Sequence, residues 1–155
     1  MESDVALVTG GARGLGLACA RRFAEQGARV HVLYRTRNAD TAALEREFGG
    51  SNVHHGDATS ETDLARVVAD VLAREARLDH AVHAVGEFEV GPLASLATAD
   101  FRRMFVSNTE SAFLFARAVL PALRASRGQL VFFGAAGLAG LRARREAAAY
   151  MAAKS

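Results

Sequence analysis

The chain has 155 residues, 50% of them hydrophobic, enough to bury one core and too few for two ordinary domains. Its formal net charge is only +2, and its arginines are scattered, with Arg142, Arg144 and Arg145 the tightest group, which points to solvated surface rather than a nucleic-acid face. Cys19 is the only cysteine, so no internal disulfide forms; no uncharged apolar run reaches membrane-spanning length, and MESDVALVTGG lacks the basic start and apolar stretch of a secretory signal, so a soluble cytoplasmic protein is expected.

Short, partly β-branched apolar runs alternate with longer amphipathic ones. Residues 5–9 (VALVT) read as a first strand, followed by a glycine-rich turn and a helix over 15–26, in which Cys19 is a packed thiol. A second strand over 29–34 (RVHVLY), a helix over 39–48 and a third strand over 52–55 come next. His54 and His55 are neighbours on that strand and point to opposite faces, which rules them out as joint metal ligands; no metal site is expected. A helix over 61–76 leads to a fourth strand over 78–85 (LDHAVHAV). A long helix over 99–126 follows, with Thr98 as its N-cap and Pro121 expected to bend or end it. After a fifth strand over 129–133 (QLVFF), the loop GAAGLAGLRARREAA precedes a last helix that has hardly begun when the chain stops. Near-continuous apolar strands alternating strictly with helices predict a doubly wound parallel α/β sheet in one domain, residues 1–155.

The turn between the first strand and helix reads Thr9-Gly10-Gly11-Ala12-Arg13-Gly14-Leu15-Gly16. Glycines let the backbone turn tightly and approach a pyrophosphate, while the following helix N-terminus offers free N–H groups and a favourable dipole. In a strand-to-helix context this pattern predicts dinucleotide binding on a Rossmann fold. The chain closes on AYMAAKS, where Lys154, its only lysine, follows Tyr150 by four residues. On a helix these two share a face, and an ammonium beside a phenol favours the phenolate, which suits the phenol to general acid–base work.

Gly10, Gly14 and Gly16 with the Tyr150-x-x-x-Lys154 pair resemble the TGxxxGxG and YxxxK motifs of the short-chain dehydrogenase/reductase family, and the 3-oxoacyl-ACP reductase branch most of all. The resemblance implies that Tyr150 exchanges a proton with a carbonyl or alcohol oxygen. It implies that Lys154 holds the nicotinamide ribose, and that Asn108 in VSNTESAF keeps a relay water in place. By itself a mid-helix asparagine is a solvent-facing polar residue. Tyr34 occupies the place where NAD-preferring folds carry an acidic residue, with Arg35 next to it and Arg13 in the glycine loop; two guanidinium groups there fit the 2′-phosphate of NADP(H). Taken as bare charges, Arg35 and Arg37 are solvated loop residues. Asp57 matches the family's adenine-contacting aspartate and equally suits a helix cap or turn. Gly86, the last residue of HAVG, stands where the family has NNAG and lines the cofactor. His83 there is equally a strand histidine satisfied by backbone.

The family's active-site serine falls on Gly134, and no serine or threonine occurs between Arg127 and Lys154. Losing one preorganised donor to a developing oxyanion costs about 10²–10³ in rate, which weakens catalysis without abolishing it. Family members also continue into further strands, so a chain truncated at its C-terminus is expected. The expectation is an NADP(H)-dependent reductase or dehydrogenase acting on a small carbonyl or alcohol, homo-oligomeric through its two long helices, with no nucleic-acid or membrane partner. The alternative is a cofactor-binding sensor or structural subunit with impaired turnover.

Overall fold

The computed structural model describes residues 3–37, 41–136 and 146–155. Five strands, β1 (Val5–Thr9), β2 (Arg29–Tyr34), β3 (Val53–His55), β4 (His80–His83) and β5 (Gln129–Phe132), form one parallel sheet in the order β3-β2-β1-β4-β5. The α-helices among the described residues are α1 (Gly14–Glu25), α2 (Thr41–Phe48), α3 (Glu61–Glu75), α4 (Thr98–Phe105), α5 (Ser111–Ser126) and α6 (Ala148–Lys154). The doubly wound parallel sheet is therefore as the alternation of runs predicts.

Every residue of β1 is buried, and the pleat divides them between two cores. Val5 and Leu7 pack with Leu64, Val67 and Phe115 beneath α3 and α5, whereas Ala6 and Val8 pack with Ala20, Val32 and Leu44 beneath α1 and α2. Both faces of the sheet are covered, which explains strands without polar alternation. Cys19 lies partly buried against the second core. Order reverses between β1 and β4, so the carboxyl ends of these two strands open a crevice, the usual ligand position in such sheets.

Several boundaries differ from expectation. β4 is His80–His83, because its ladder with β1 runs only from Ala6 to Thr9; Leu78 is fully buried without being in the strand. The α4 N-cap is Ala97, not Thr98: the N–H groups of Asp100 and Phe101 donate to the Ala97 carbonyl at 3.0 Å, and no side chain caps the turn. The long helix is not one α-helix, because a π-turn over Val106–Glu110 separates α4 from α5. The Asn108 Nδ2 and Ser107 Oγ both donate to the Met104 carbonyl, at 3.0 and 3.4 Å, and compete with the regular ladder there. Pro121, on the exposed side, does not end α5, which runs on to Ser126. Residues 39 and 40 of the expected second helix, and Arg142, Arg144 and Arg145, lie outside the described residues.

Candidate cofactor and proton-transfer site

The crevice is lined on one side by the glycine loop. Gly10 (φ +68°) donates to the Leu33 carbonyl at 2.9 Å, and a Cβ there would stand 2.6 Å from the Ala84 carbonyl oxygen. A Cβ on Gly16 would collide with the carbonyl of Gly10, so only hydrogen fits where the loop folds onto α1. Arg13 is extended at the N-cap position of α1 and makes no side-chain cap, so the first N–H groups of the helix stay uncapped. Leu15 is 65% exposed at the same turn, and the space beside Gly14 is open. Free N–H groups, a positive helix end and a glycine surface fit the pyrophosphate of a dinucleotide.

The ends of β2 and β3 add charge. Tyr34 is buried and meets the His55 ring edge-on, so no carboxylate occupies that position. Arg35, 61% exposed, lies 3.8 Å from Asp57 and 3.8 Å from Glu87, bridging the β2 and β4 sides of the crevice. Among the described residues Arg13 makes no ion pair. Asp57 is a turn residue, accepting from the Thr59 N–H and hydroxyl at 2.8 Å each; the cap of α3 is Ser60, whose hydroxyl accepts from the Asp63 N–H at 3.2 Å.

On the other side four segments converge on Gly86. A Cβ there would collide with Asn108 Oδ1 and stand 3.2 Å from Lys154 Nζ. Asn108 is 3% exposed, not solvent-facing. Its Nδ2 is fixed by the Glu87 carbonyl (2.9 Å), the Met104 carbonyl (3.0 Å) and Ser107 Oγ (3.1 Å), acceptors that set the amide orientation. Its Oδ1 has no partner among the described residues. A buried, unpaired carbonyl is costly unless something fills the site, and this one borders Gly86 as the lysine ammonium does. Lys154 Nζ donates to the Phe133 carbonyl at 3.1 Å, and burial pushes its ammonium below the ordinary lysine value. Tyr150 lies one turn earlier on α6, its ring edge-to-face with Phe88 at 4.7 Å. The Thr109 hydroxyl donates to the Ala153 carbonyl at 2.6 Å, tying the π-turn to α6.

His83 is satisfied by side chains, not backbone. Ser111 gives its hydroxyl proton to the Ser107 carbonyl (2.6 Å), so its Oγ accepts from His83 Nε2 (3.0 Å), leaving Nδ1 to accept from Thr9 Oγ1 (2.8 Å). The imidazole is neutral with both nitrogens used, its pKa held at about 4 by burial and then by the charge of Lys154. Gly134 is exposed just beyond Phe133 and brings no hydroxyl. Among the described residues no three His, Cys, Asp or Glu side chains gather as a metal site; His54 is buried and His55 exposed, on opposite faces as expected.

Sequence reading missed Ser107, Ser111, Phe88 and Arg103. Five polar residues in succession, SNTES, in the middle of the long helical run were the available signal for the π-turn.

A family profile described as enoyl-(acyl carrier protein) reductase matches residues 10–155. The chain is 34% identical over 154 residues to L-fucose dehydrogenase of Mus musculus, covering 99% of this chain and 55% of that protein. It is 33% identical over 158 residues to cyclopentanol dehydrogenase of Comamonas testosteroni, covering 99% and 62%. Among solved structures, an actinorhodin polyketide ketoreductase variant with NADPH superposes with a TM-score of 0.85 at 30% identity, over 98% of this chain and 60% of that one. A metagenomic short-chain oxidoreductase in complex with NADP gives 0.84 at 32% identity, over 97% and 70%. The chain thus spans little more than half the length of these curated relatives. Among the described residues no helix is long and apolar enough to cross a membrane.

Proposed function

We propose that this chain, which belongs to the short-chain dehydrogenase/reductase family, carries the cofactor-binding and proton-transfer parts of an NADP(H)-dependent carbonyl reductase or alcohol dehydrogenase. The observation that carries the reading is that the unpaired, buried Asn108 Oδ1 and the half-buried Lys154 Nζ both border Gly86, beside an open glycine loop. When bound, the nicotinamide supplies or accepts the hydride. Gly10, Gly14, Leu15, Gly16 and the α1 N-terminus hold the pyrophosphate. Arg13 and Arg35 bind the 2′-phosphate, with Arg35 leaving its long contacts to Asp57 and Glu87; Asp57 borders the adenine.

Tyr150 gives its hydroxyl proton to the substrate oxygen in reduction and takes it back in oxidation. Lys154 stabilises the phenolate left behind and holds the ribose, and Asn108 Oδ1 accepts from a water that returns the proton. Partly exposed Phe113 and Leu120 on α5 support a homo-oligomer, and the lone cysteine supports a cytoplasmic setting. Names of relatives include a sugar, a cyclic alcohol and a polyketide, so they leave the substrate open.

Gly134 favours a second reading, a dinucleotide-binding protein with little turnover. The cofactor reading is tested by calorimetric titration of the natural full-length protein with NADPH and NADH. We expect tighter NADPH binding and an NADPH-to-NADH affinity ratio about tenfold lower in Arg35→Ala. An unchanged ratio would overturn the NADP(H) preference.

A further inference from the structure

Residues 87–90 read Glu-Phe-Glu-Val, and the fold sorts them alternately, as in an extended chain. Glu87 and Glu89 turn to α4, where one guanidinium holds both: Arg103 Nε donates to Glu87 at 2.8 Å, Nη2 donates to Glu89, and Nη1 reaches Asp100 at 2.5 Å. Phe88 and Val90 are instead 63% and 58% exposed. Phe88 is no stray surface ring, because it packs against Tyr150 at an interplanar angle of 86°. The segment is also fixed along its length. Its Glu87 N–H donates to Ser107 Oγ at 3.3 Å, its Glu87 carbonyl accepts from Asn108, and its Gly91 N–H donates to the Glu146 carbonyl at 2.7 Å, just before α6.

We infer that Phe88 is a specificity-determining residue, an apolar wall against the Tyr150 ring that selects alicyclic or aromatic carbonyls and alcohols over polyhydroxylated ones. The inference rests on the proposed oxidoreductase reading for where the reacting oxygen sits. A sugar-like substrate needs several donors and acceptors to replace its water, and unmatched hydroxyls are costly to bury. Here Glu87 and Glu89, the carboxylates of the segment that carries Phe88, are committed to Arg103, Gly134 has no side chain, and no serine or threonine occurs between Arg127 and Lys154. A cyclic ketone asks for one hydrogen bond at its oxygen and apolar contact elsewhere, which Tyr150 and a prefixed Phe88–Val90 face offer without ordering cost.

Two measurements on the natural full-length protein test this. The chain contains no tryptophan, so Phe88→Trp places an indole at the wall, and its emission is read against the parent protein. Cyclohexanol is expected to give a saturable blue shift and L-fucose none. In turnover, Phe88→Ser should raise KM for cyclohexanone about tenfold while NADPH affinity stays unchanged. A cyclohexanol-specific shift with no turnover of any substrate supports the wall and sinks the oxidoreductase reading instead. Turnover with KM for cyclohexanone unmoved by Phe88→Ser, an equal or stronger response to L-fucose, or no response to either probe overturns the wall.

Discussion

The two sides of the crevice are held in different ways. On the β1–β2 side the contacts that fix the loop are backbone to backbone: Gly10 on Leu33 and Ala84, Gly16 on Gly10. On the β4 side most of them have a side chain at one end or both: Arg103 on Glu87 and Glu89, Asn108 on the Glu87 carbonyl, Lys154 on the Phe133 carbonyl and Tyr150 on Phe88. A backbone cradle admits no added atom at Gly10 or Gly16 and is indifferent to most side chains around it. A constellation of separate side chains can lose one member and keep the rest in place.

The largest expected effect comes from adding one carbon to each side. Gly16→Ala drives a Cβ into the Gly10 carbonyl, and backbone cannot swing away as a side chain can, so NADPH affinity should fall by more than about 10² and the melting temperature with it. Gly86→Ala meets Asn108 Oδ1 and Lys154 Nζ, both side-chain ends, so stability should change less while kcat drops by about 10² through displaced groups. Calorimetry, thermal melts and steady-state kinetics on both variants separate these; equal losses of stability would erase the distinction.

Next in size is the missing hydroxyl. Gly134→Ser should raise kcat by up to about 10² without altering NADPH affinity, if a donor to the substrate oxygen is what the β4 side lacks. No gain would mean the role is filled elsewhere or was never needed.

The glycine cradle was legible because backbone chemistry is written locally, in glycine spacing next to a strand. Tyr150 and Lys154 were legible for the same reason, four residues apart on one helix. The Arg103 clamp on Glu87 and Glu89 was not, since it joins segments separated by a turn of chain with no shared period. The π-turn, whose one extra residue barely disturbs helical spacing, left only the SNTES run as its signal, and the buried Asn108 lies within it. The role of His83 stayed open because nothing in HAVH reveals that Thr9 and Ser111 stand on either side of it.

The smallest effect is on acid stability. His54 on the β3 side is held at about 4 by burial and then by His31, whose Nδ1 lies 2.9 Å from His54 Nε2; His83 on the β4 side is likewise held at about 4. Unfolded histidine binds its proton near 6.5, so between about 6.5 and 4 the unfolded chain takes up protons that the folded one excludes. Stability should be full above about pH 6.5 and fall as pH drops toward 4, with a shallower fall in His83→Asn. Urea midpoints across this range check it, and a flat profile would contradict the neutral, buried histidines.

The most direct measurement is NADPH oxidation by the natural full-length protein across a panel of ketones and β-keto thioesters, with Tyr150→Phe alongside. The account predicts turnover of at least one substrate, lowered by about 10²–10⁴ in Tyr150→Phe while NADPH still binds. Turnover indifferent to that substitution, or tight NADPH binding with no turnover across the panel, would contradict a tyrosine-dependent reductase.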